Sequence, residues 1–240
     1  MVEAPVNDVA PPPAQAVLAD DIVTIDVVSD VVCPWCYLGK RRLEAAVTAA
    51  DVPVAIQWRP FQLDPTVPPA GLDRRAYMLG KFGDQSRIDA AHARLAEAGA
   101  TVGLDFRFDR ITRAPNTLDA HRLIRWAAST GDPAATARQG DVVEALFRAY
   151  FVEGRDIDDR KLLVEIGAAH GLDATLVHRL LASGTDEADT RAEIASAVRL
   201  GVTGVPFFIF AGRYGVPGAQ DAAVLAAAIA KAREAAAPAG

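Results

Sequence analysis

Two periodicities divide the chain. Ile22-Val23-Thr24-Ile25-Asp26-Val27-Val28 is short and rich in β-branched residues, the pattern of a buried strand. From Lys40 to Ala50 the apolar positions Leu43, Ala46, Val47 and Ala50 recur at helical spacing. Asp51-Val52-Pro53 then breaks the pattern, and Val54 to Phe61 reads as a second strand. Strand, helix and strand in that order predict a crossover that leaves the two strands parallel and adjacent.

The stretch from Thr66 to Leu200 keeps helical periodicity nearly throughout and shows no repeat of fixed period. Asn116 and Asp173 read as N-caps, and Gly99, Gly131, Gly154, Gly171 and Gly184 as helix terminators. About six helices are expected there, with Leu104 to Asp109 as a short extended piece. Strand character returns at Pro206-Phe207-Phe208-Ile209-Phe210. A turn at Ala211-Gly212-Arg213, another short extended segment and a helix from about Asp221 to Glu234 follow. A helical block between two α/β halves is most simply an insertion into one sheet. The expected division is therefore a discontinuous α/β domain (21–65 and 201–237) interrupted by an inserted helical domain (66–200).

Composition narrows the partners. Hydrophobic residues make up 51% and charged residues 23% of the 240, an ordinary globular mixture. A net charge of −6 argues against general attraction to nucleic acid or to an anionic membrane. No apolar run approaches the roughly 18 residues of a membrane-spanning helix. Met1 to Asp20 holds four prolines, three acids and no Lys or Arg, so residues 1–20 are expected to be a disordered leader, not a secretory signal. The cytoplasm is the expected address.

The chemistry lies in Cys33 and Cys36, the only two cysteines. A structural disulfide framework would use more cysteines at wider spacing. Cys33-Pro34-Trp35-Cys36 follows a strand and opens a helix. Unpaired N–H groups and the macrodipole of a helix N-terminus stabilise a thiolate at Cys33, and Pro34 suits the first helical turn. Cys36, one turn further in, can attack a mixed disulfide formed on Cys33. A zinc site needs about four ligands; there is no second cysteine pair, and His92, His121, His170 and His178 show no paired spacing. Two inert buried thiols are the plainer alternative, disfavoured by an expected exposure of Trp35 and by Lys40-Arg41-Arg42 nearby. Gly201-Val202-Thr203-Gly204-Val205-Pro206 suits a cis X–Pro turn, which can offer the Val205 backbone to a bound peptide as an added strand.

Ser29 to Arg41, around Cys33-Pro34-Trp35-Cys36, together with Thr203-Gly204-Val205-Pro206-Phe207-Phe208, resembles the DsbA-like thioredoxin family, and within it the FrnE branch of oxidoreductases and disulfide isomerases. Trp58-Arg59-Pro60-Phe61-Gln62-Leu63, Pro115-Asn116-Thr117 with Ala120-His121-Arg122, Leu146 to Phe151 and Gly218-Ala219-Gln220 extend the resemblance over about Ile22 to Lys231. It implies a thioredoxin fold split by a helical insertion, with Cys33 as attacking thiol, Cys36 as resolving thiol and Pro206 as a facing cis-proline. Two positions depart from the pattern. Relatives often place a buried acid six residues before the nucleophile, where this chain has Val27. Asp26 falls on the opposite strand face, which leaves Asp30 or water as proton acceptor. Relatives often carry a hydroxyl residue before Gly-Ala-Gln, where this chain has Pro217. That weakens an anion pocket between Pro217 and Asp221 at the last helix.

The resemblance implies protein or peptide thiols and disulfides as partners, with no metal and no cofactor beyond glutathione as an alternative co-substrate. Two other functions compete. The 2-hydroxychromene-2-carboxylate isomerases and kappa-class glutathione transferases share the architecture and use glutathione, but usually carry Ser at the Cys33 position. A client-binding protein without turnover would not need the thiols at all. Asn116 and His121 sit where relatives place cleft residues, against the plainer reading of an N-cap and a packing histidine. Trp35 and the Val205 backbone are the other candidate substrate contacts, whereas Phe207, Phe208 and Phe210 read as core. Roughly 130 inserted residues exceed what exchange chemistry needs and are expected to wall the site.

Overall fold

The computed structural model describes residues 22–129 and 135–236. The expected leader (1–20), the outer domain bounds at 21 and 237 and the expected helix end at Gly131 lie outside them.

The strand–helix–strand unit is β1 (Val23–Ser29), α1 (Pro34–Ala49) and β2 (Val54–Pro60). β1 pairs in parallel with β2, Val27 opposite Trp58. β5 (Phe207–Phe210) joins the other edge of β1 in antiparallel register, Val27 opposite Phe208, and β6 (Tyr214–Pro217) pairs antiparallel with β5. The sheet order is β2-β1-β5-β6. Strand alternation divides β1 between two cores. Val23, Ile25 and Val27 join Phe208, Phe210, Leu43 and Ala46, along with Leu225 and Ile229 of α9 (Ala222–Ala236). Val28 packs instead with Phe61, Ala197 and Val202.

Between β2 and β5 lie β3 (Leu72–Asp73), α2 (Arg74–Phe82), α3 (Gln85–Ala100), β4 (Arg113–Ala114), α4 (Leu118–Ala128), α5 (Ala135–Phe151), α6 (Arg160–Ala169), α7 (Ala174–Ala182) and α8 (Glu187–Arg199). Seven helices stand among the described residues of this stretch, where about six were expected. The β3–β4 ribbon is too short to leave a period in the sequence. Asp173 caps α7 as expected, its carboxylate accepting from Leu176 N–H at 2.7 Å. Asn116 caps one position before the helix boundary, accepting from Leu118 N–H at 2.9 Å. Gly154, Gly171 and Gly184 follow helix ends with positive φ. Gly99 does not terminate α3. It lies inside the last turn because the Phe106 ring presses on it, where a Cβ would come within 2.7 Å of that ring. Phe106 also explains why Leu104 to Asp109 is not a strand: irregular backbone and a 3-10 turn, Phe108–Arg110, drive the segment's aromatic rings into the core.

Those aromatics attach the helical block to the helix that carries the cysteines. Tyr37 of α1 stacks on Phe147 of α5 with centroids 4.9 Å apart and meets Phe106 edge-on at 6.1 Å. Such pairs contribute about 0.5–1.5 kcal/mol each beyond their burial. Beside them, Glu144 of α5 accepts a hydrogen bond from the Tyr37 phenol at 2.7 Å and from Arg41. Lys40 Nζ lies 2.8 Å from the other carboxylate oxygen, an ion contact outside hydrogen-bonding geometry. Among the described residues, no helix is long and apolar enough to cross a membrane.

Candidate active site

Cys33 is the residue at which the chain turns from β1 into α1. Its φ of −93° and ψ of 111° are extended, while Pro34 begins the helix. Cys33 N–H donates to Asp30 C=O at 3.0 Å, and Cys36 N–H to Cys33 C=O at 3.0 Å, which pins the turn. The first turn of α1 carries no acid to offset the helix-terminal N–H groups.

The Val205–Pro206 peptide is cis, and the Cys33 thiol donates to the Val205 carbonyl at 3.5 Å. Pro206 C=O in turn accepts from Gly218 N–H at 2.8 Å. Close approach depends on Gly39, since a Cβ there would stand 2.9 Å from Pro206 Cγ and 3.2 Å from the Phe208 ring. Gly39→Ala should therefore push α1 off the proline turn, at a cost of about 1–2 kcal/mol. A denaturant midpoint unchanged from the parent would contradict that packing.

The two thiols differ in surroundings. Both are buried, Cys33 at 4% and Cys36 at 1% exposure, but Cys33 borders a cavity and Cys36 does not. Burial, followed by the hydrogen bond and charge of Cys33, pushes the Cys36 thiol well up, while the Ser29 hydroxyl and the Asp30 backbone act in the opposite direction. Cys36 is thus held as a thiol behind the sulfur that faces the cavity.

The cavity, about 370 Å³, is bordered by Cys33, Trp35 and Val205 on the sheet side and by α2 and α3 opposite. Tyr77, Met78, Phe82, Leu95 and Phe108 make it largely apolar; Arg74, Lys81, His92, Asp30 and Asp64 are among its charged and titratable groups. Arg74 donates to the Tyr150 hydroxyl at 2.9 Å. Burial, with the Arg74 charge, holds the imidazole of His92 below its usual value. The sequence reading missed this wall. Its signal was Arg74, Tyr77, Met78 and Lys81 at helical i, i+3, i+4 and i+7, one face of α2.

Trp35 stands at the rim, 43% exposed, as expected. Val205 borders the cavity beside Cys33. Asn116 and His121 do not line it. Asn116 braces the chain around it, its amide donating to Val67 C=O at 2.6 Å and its oxygen accepting from Gln62 at 3.2 Å. His121 is buried behind Asp30, its Nε2 3.4 Å from Asp30 Oδ1. Asp30 itself is 1% exposed, and its other oxygen accepts from Leu63 N–H at 2.8 Å. A buried acid is therefore present, three residues before Cys33 instead of six. Asp26 points away to Arg59, at 2.6 Å.

The basic residues after the cysteines are committed elsewhere. Lys40 pairs with Glu44 and Glu144, Arg41 with the same two acids, and Arg42 with Asp221 at 3.1 Å and the Ala219 carbonyl. Their charges are offset locally and do not serve as free cations for Cys33. Asp221 is thereby engaged, and residues 217–221 are not among those bordering the cavity. No cluster of three or more His, Cys, Asp or Glu able to hold a metal occurs among the described residues.

A four-stranded mixed sheet, a Cys-X-X-Cys pair at the head of α1, a facing cis-proline and helices inserted between β2 and β5 define a thioredoxin fold with a helical insertion. The DSBA-like thioredoxin domain matches residues 24–230, and the chain belongs to that family. The crystal structure of a probable DsbA oxidoreductase from Streptomyces coelicolor is 33% identical, covers 91% of this chain and 93% of its own, and superposes with a TM-score of 0.80. The uncharacterized protein YwbO of Bacillus subtilis is 27% identical over 208 residues, 86% of this chain and 96% of its own. A 2-hydroxychromene-2-carboxylate isomerase shares the fold at 17% identity and a TM-score of 0.63, over 87% of this chain and 95% of its own. The same fold therefore hosts different chemistries, and the residues must distinguish them.

Proposed function

We propose that this chain is a thiol–disulfide oxidoreductase or isomerase of the FrnE branch that exchanges disulfides with protein or peptide clients, Cys33 attacking and Cys36 resolving. The observation that carries the reading is the Cys33 sulfur 3.5 Å from the Val205 carbonyl at the mouth of the cavity, with Cys36 buried behind it. An extended client would run along Val205 as an added strand and bring its sulfur onto Cys33. Cys33 displaces one client sulfur and forms a mixed disulfide. Cys36 then attacks Cys33 and releases the second client thiol, so the client gains the two electrons that the cysteine pair loses. Run in reverse, the same steps oxidise a client. The proposed address is the cytoplasm, since the only two cysteines are the redox pair and none is left for a structural disulfide.

Trapping tests the roles. Cys36→Ser should accumulate client disulfides on Cys33, visible as adducts on non-reducing gels, whereas Cys33→Ser should accumulate none. Equal trapping by both variants contradicts the assignment.

One observation supports glutathione as a second client. The cavity has the volume of a small-molecule site, with the cations Arg74 and Lys81 inside it. The anion-binding groups would then lie on α2 and not between Pro217 and Asp221. Under that reading Arg74→Ala weakens saturation by glutathione and Asp221→Ala does not. Under the protein-client reading both variants still reduce a protein disulfide.

A further inference from the structure

The cavity beside Cys33 has a neighbour. A second space of about 530 Å³ lies along α3, and Trp35, Phe82, Ala91 and Leu95 border both. Trp35 is two residues from Cys33 and 43% exposed, so a chain that leaves the first space at its rim passes that ring into the second.

One face of α3 builds this second space. Ser86, Arg87, Ala90, Ala91, Arg94 and Leu95 fall at i, i+1, i+4, i+5, i+8 and i+9, positions that share one side of a helix. Leu95 is buried, whereas Ser86, Arg87, Ala90 and Arg94 are exposed, so the space is an open groove. The methyl side chains of Ala90 and Ala91 leave room that longer residues would fill.

The charge of the groove has one sign. Arg87 and Arg94 border it and no acid does, whereas the cavity beside Cys33 mixes Arg74 and Lys81 with Asp30 and Asp64. Arg94 has no ion-pair partner among the described residues. Arg87 has only the exposed Asp84 at the head of its own helix, at 3.3 Å. The chain as a whole carries −6, so a groove lined by cations alone is a local departure.

We propose that the α3 groove docks the acidic flank of a client polypeptide, so that Asp or Glu near the client's reactive cysteine directs it to Cys33. The inference rests on the protein-client reading above. From Ser86 to Arg94 the helix advances about 12 Å at roughly 1.5 Å per residue. About four extended residues at roughly 3.3 Å each span that length. A cysteine beside Val205 and acids over Arg87 and Arg94 can therefore belong to one short segment that passes Trp35. A nucleic acid or an anionic membrane would meet the same two arginines, but against the repulsion of the whole chain. Contacts between exposed charges are individually weak, so the groove selects among clients and does not supply the exchange chemistry.

Short peptides with one central cysteine test the assignment. Each is oxidised to its symmetric disulfide, with Glu, Gln or Lys in the positions on both sides of the cysteine. Reduced protein is mixed with each disulfide at low salt, quenched in acid at intervals, and the released peptide thiol is measured by mass spectrometry. Rates are taken relative to those with dithiothreitol, which removes differences in the peptides' own reactivity. The Glu peptide should react about three to ten times faster than the Lys peptide, with Gln between them, and added salt should shrink the difference. Arg94→Glu should reverse that order and Arg94→Lys should keep it. Arg191→Glu makes the same change of charge on α8, away from both spaces, and should keep the parent order. A parent without preference overturns the docking site. So does a preference that survives Arg94→Glu, or one that Arg191→Glu removes equally well. Self-association of the parent that Arg94→Glu abolishes, measured by sedimentation, would give the groove to a second copy of the chain and overturn the client assignment. Release of no peptide thiol from any of the three disulfides overturns the exchange reading itself.

Discussion

Cys33→Ser should remove disulfide exchange almost completely, a loss of roughly three orders of magnitude or more in rate, because the covalent step has no substitute. Cys33 is the one thiol bordering the client cavity among the described residues, while Cys36, at 1% exposure, does not line it. A serine hydroxyl fills nearly the same space but forms no disulfide and is not ionised near neutral pH. The fold should persist, since the Cys33 backbone bonds that close the turn survive the substitution. Reduction of insulin by dithiothreitol, followed by turbidity, measures the effect directly. The same protein tests the client-binding alternative: a binder that works without turnover would keep its full activity with Ser at position 33, and such a result would remove the enzymatic reading.

The second large effect lies in the contact that joins the helical block to the cysteine helix. Glu144→Gln should destabilise the protein by about 2–3 kcal/mol at neutral pH, below the roughly 3–5 kcal/mol of a fully buried broken pair because this side chain is 25% exposed. For a domain of this size that is a fall of roughly 5–10 °C in melting temperature. Lys40, only 7% exposed, would keep its charge and lose the acid that faces it across the helices. The pH dependence gives a sharper check. Burial alone would raise the Glu144 carboxyl, but the adjacent Lys40 ammonium, then the Tyr37 phenol and Arg41, outweigh it and hold it below the ordinary 4.5. A carboxyl lowered in the folded state stabilises fully above its unfolded value and loses that contribution as pH falls through the folded one. Parent and variant should therefore differ most near neutrality and converge on acidification below about pH 4.5. A gap independent of pH would mean that the cost is packing and not charge. Burial and the Glu144 hydrogen bond also push the Tyr37 phenol up, so it remains a donor throughout this range.

Sequence alone determined whatever is local in origin. Residues 22–28 and 54–61 are strands because β-branched side chains at alternate positions (Val23, Ile25 and Val27; Val54 and Ile56) pack on the core, and both strands formed within a residue of the expected limits. The thiol pair at the head of α1 was legible because Pro34 and a strand-to-helix change of period leave one geometry for it. The cis bond at Pro206 was legible because only proline makes that isomer cheap. What the tertiary structure decided depends on residues distant in sequence. Asp30 meets His121 across 91 positions, which turned a candidate cleft histidine into a buried partner of an acid. Tyr37 and Arg41 meet Glu144 across 107 and 103 positions, which withdrew the expected cations from Cys33. The cavity wall on α2 likewise has no local signature beyond one amphipathic face, since what that face covers is set only when the helix docks. Periodicity and proline chemistry act through neighbours a few bonds away; charge pairing and cavity shape act through space, and only the folded chain brings those groups together.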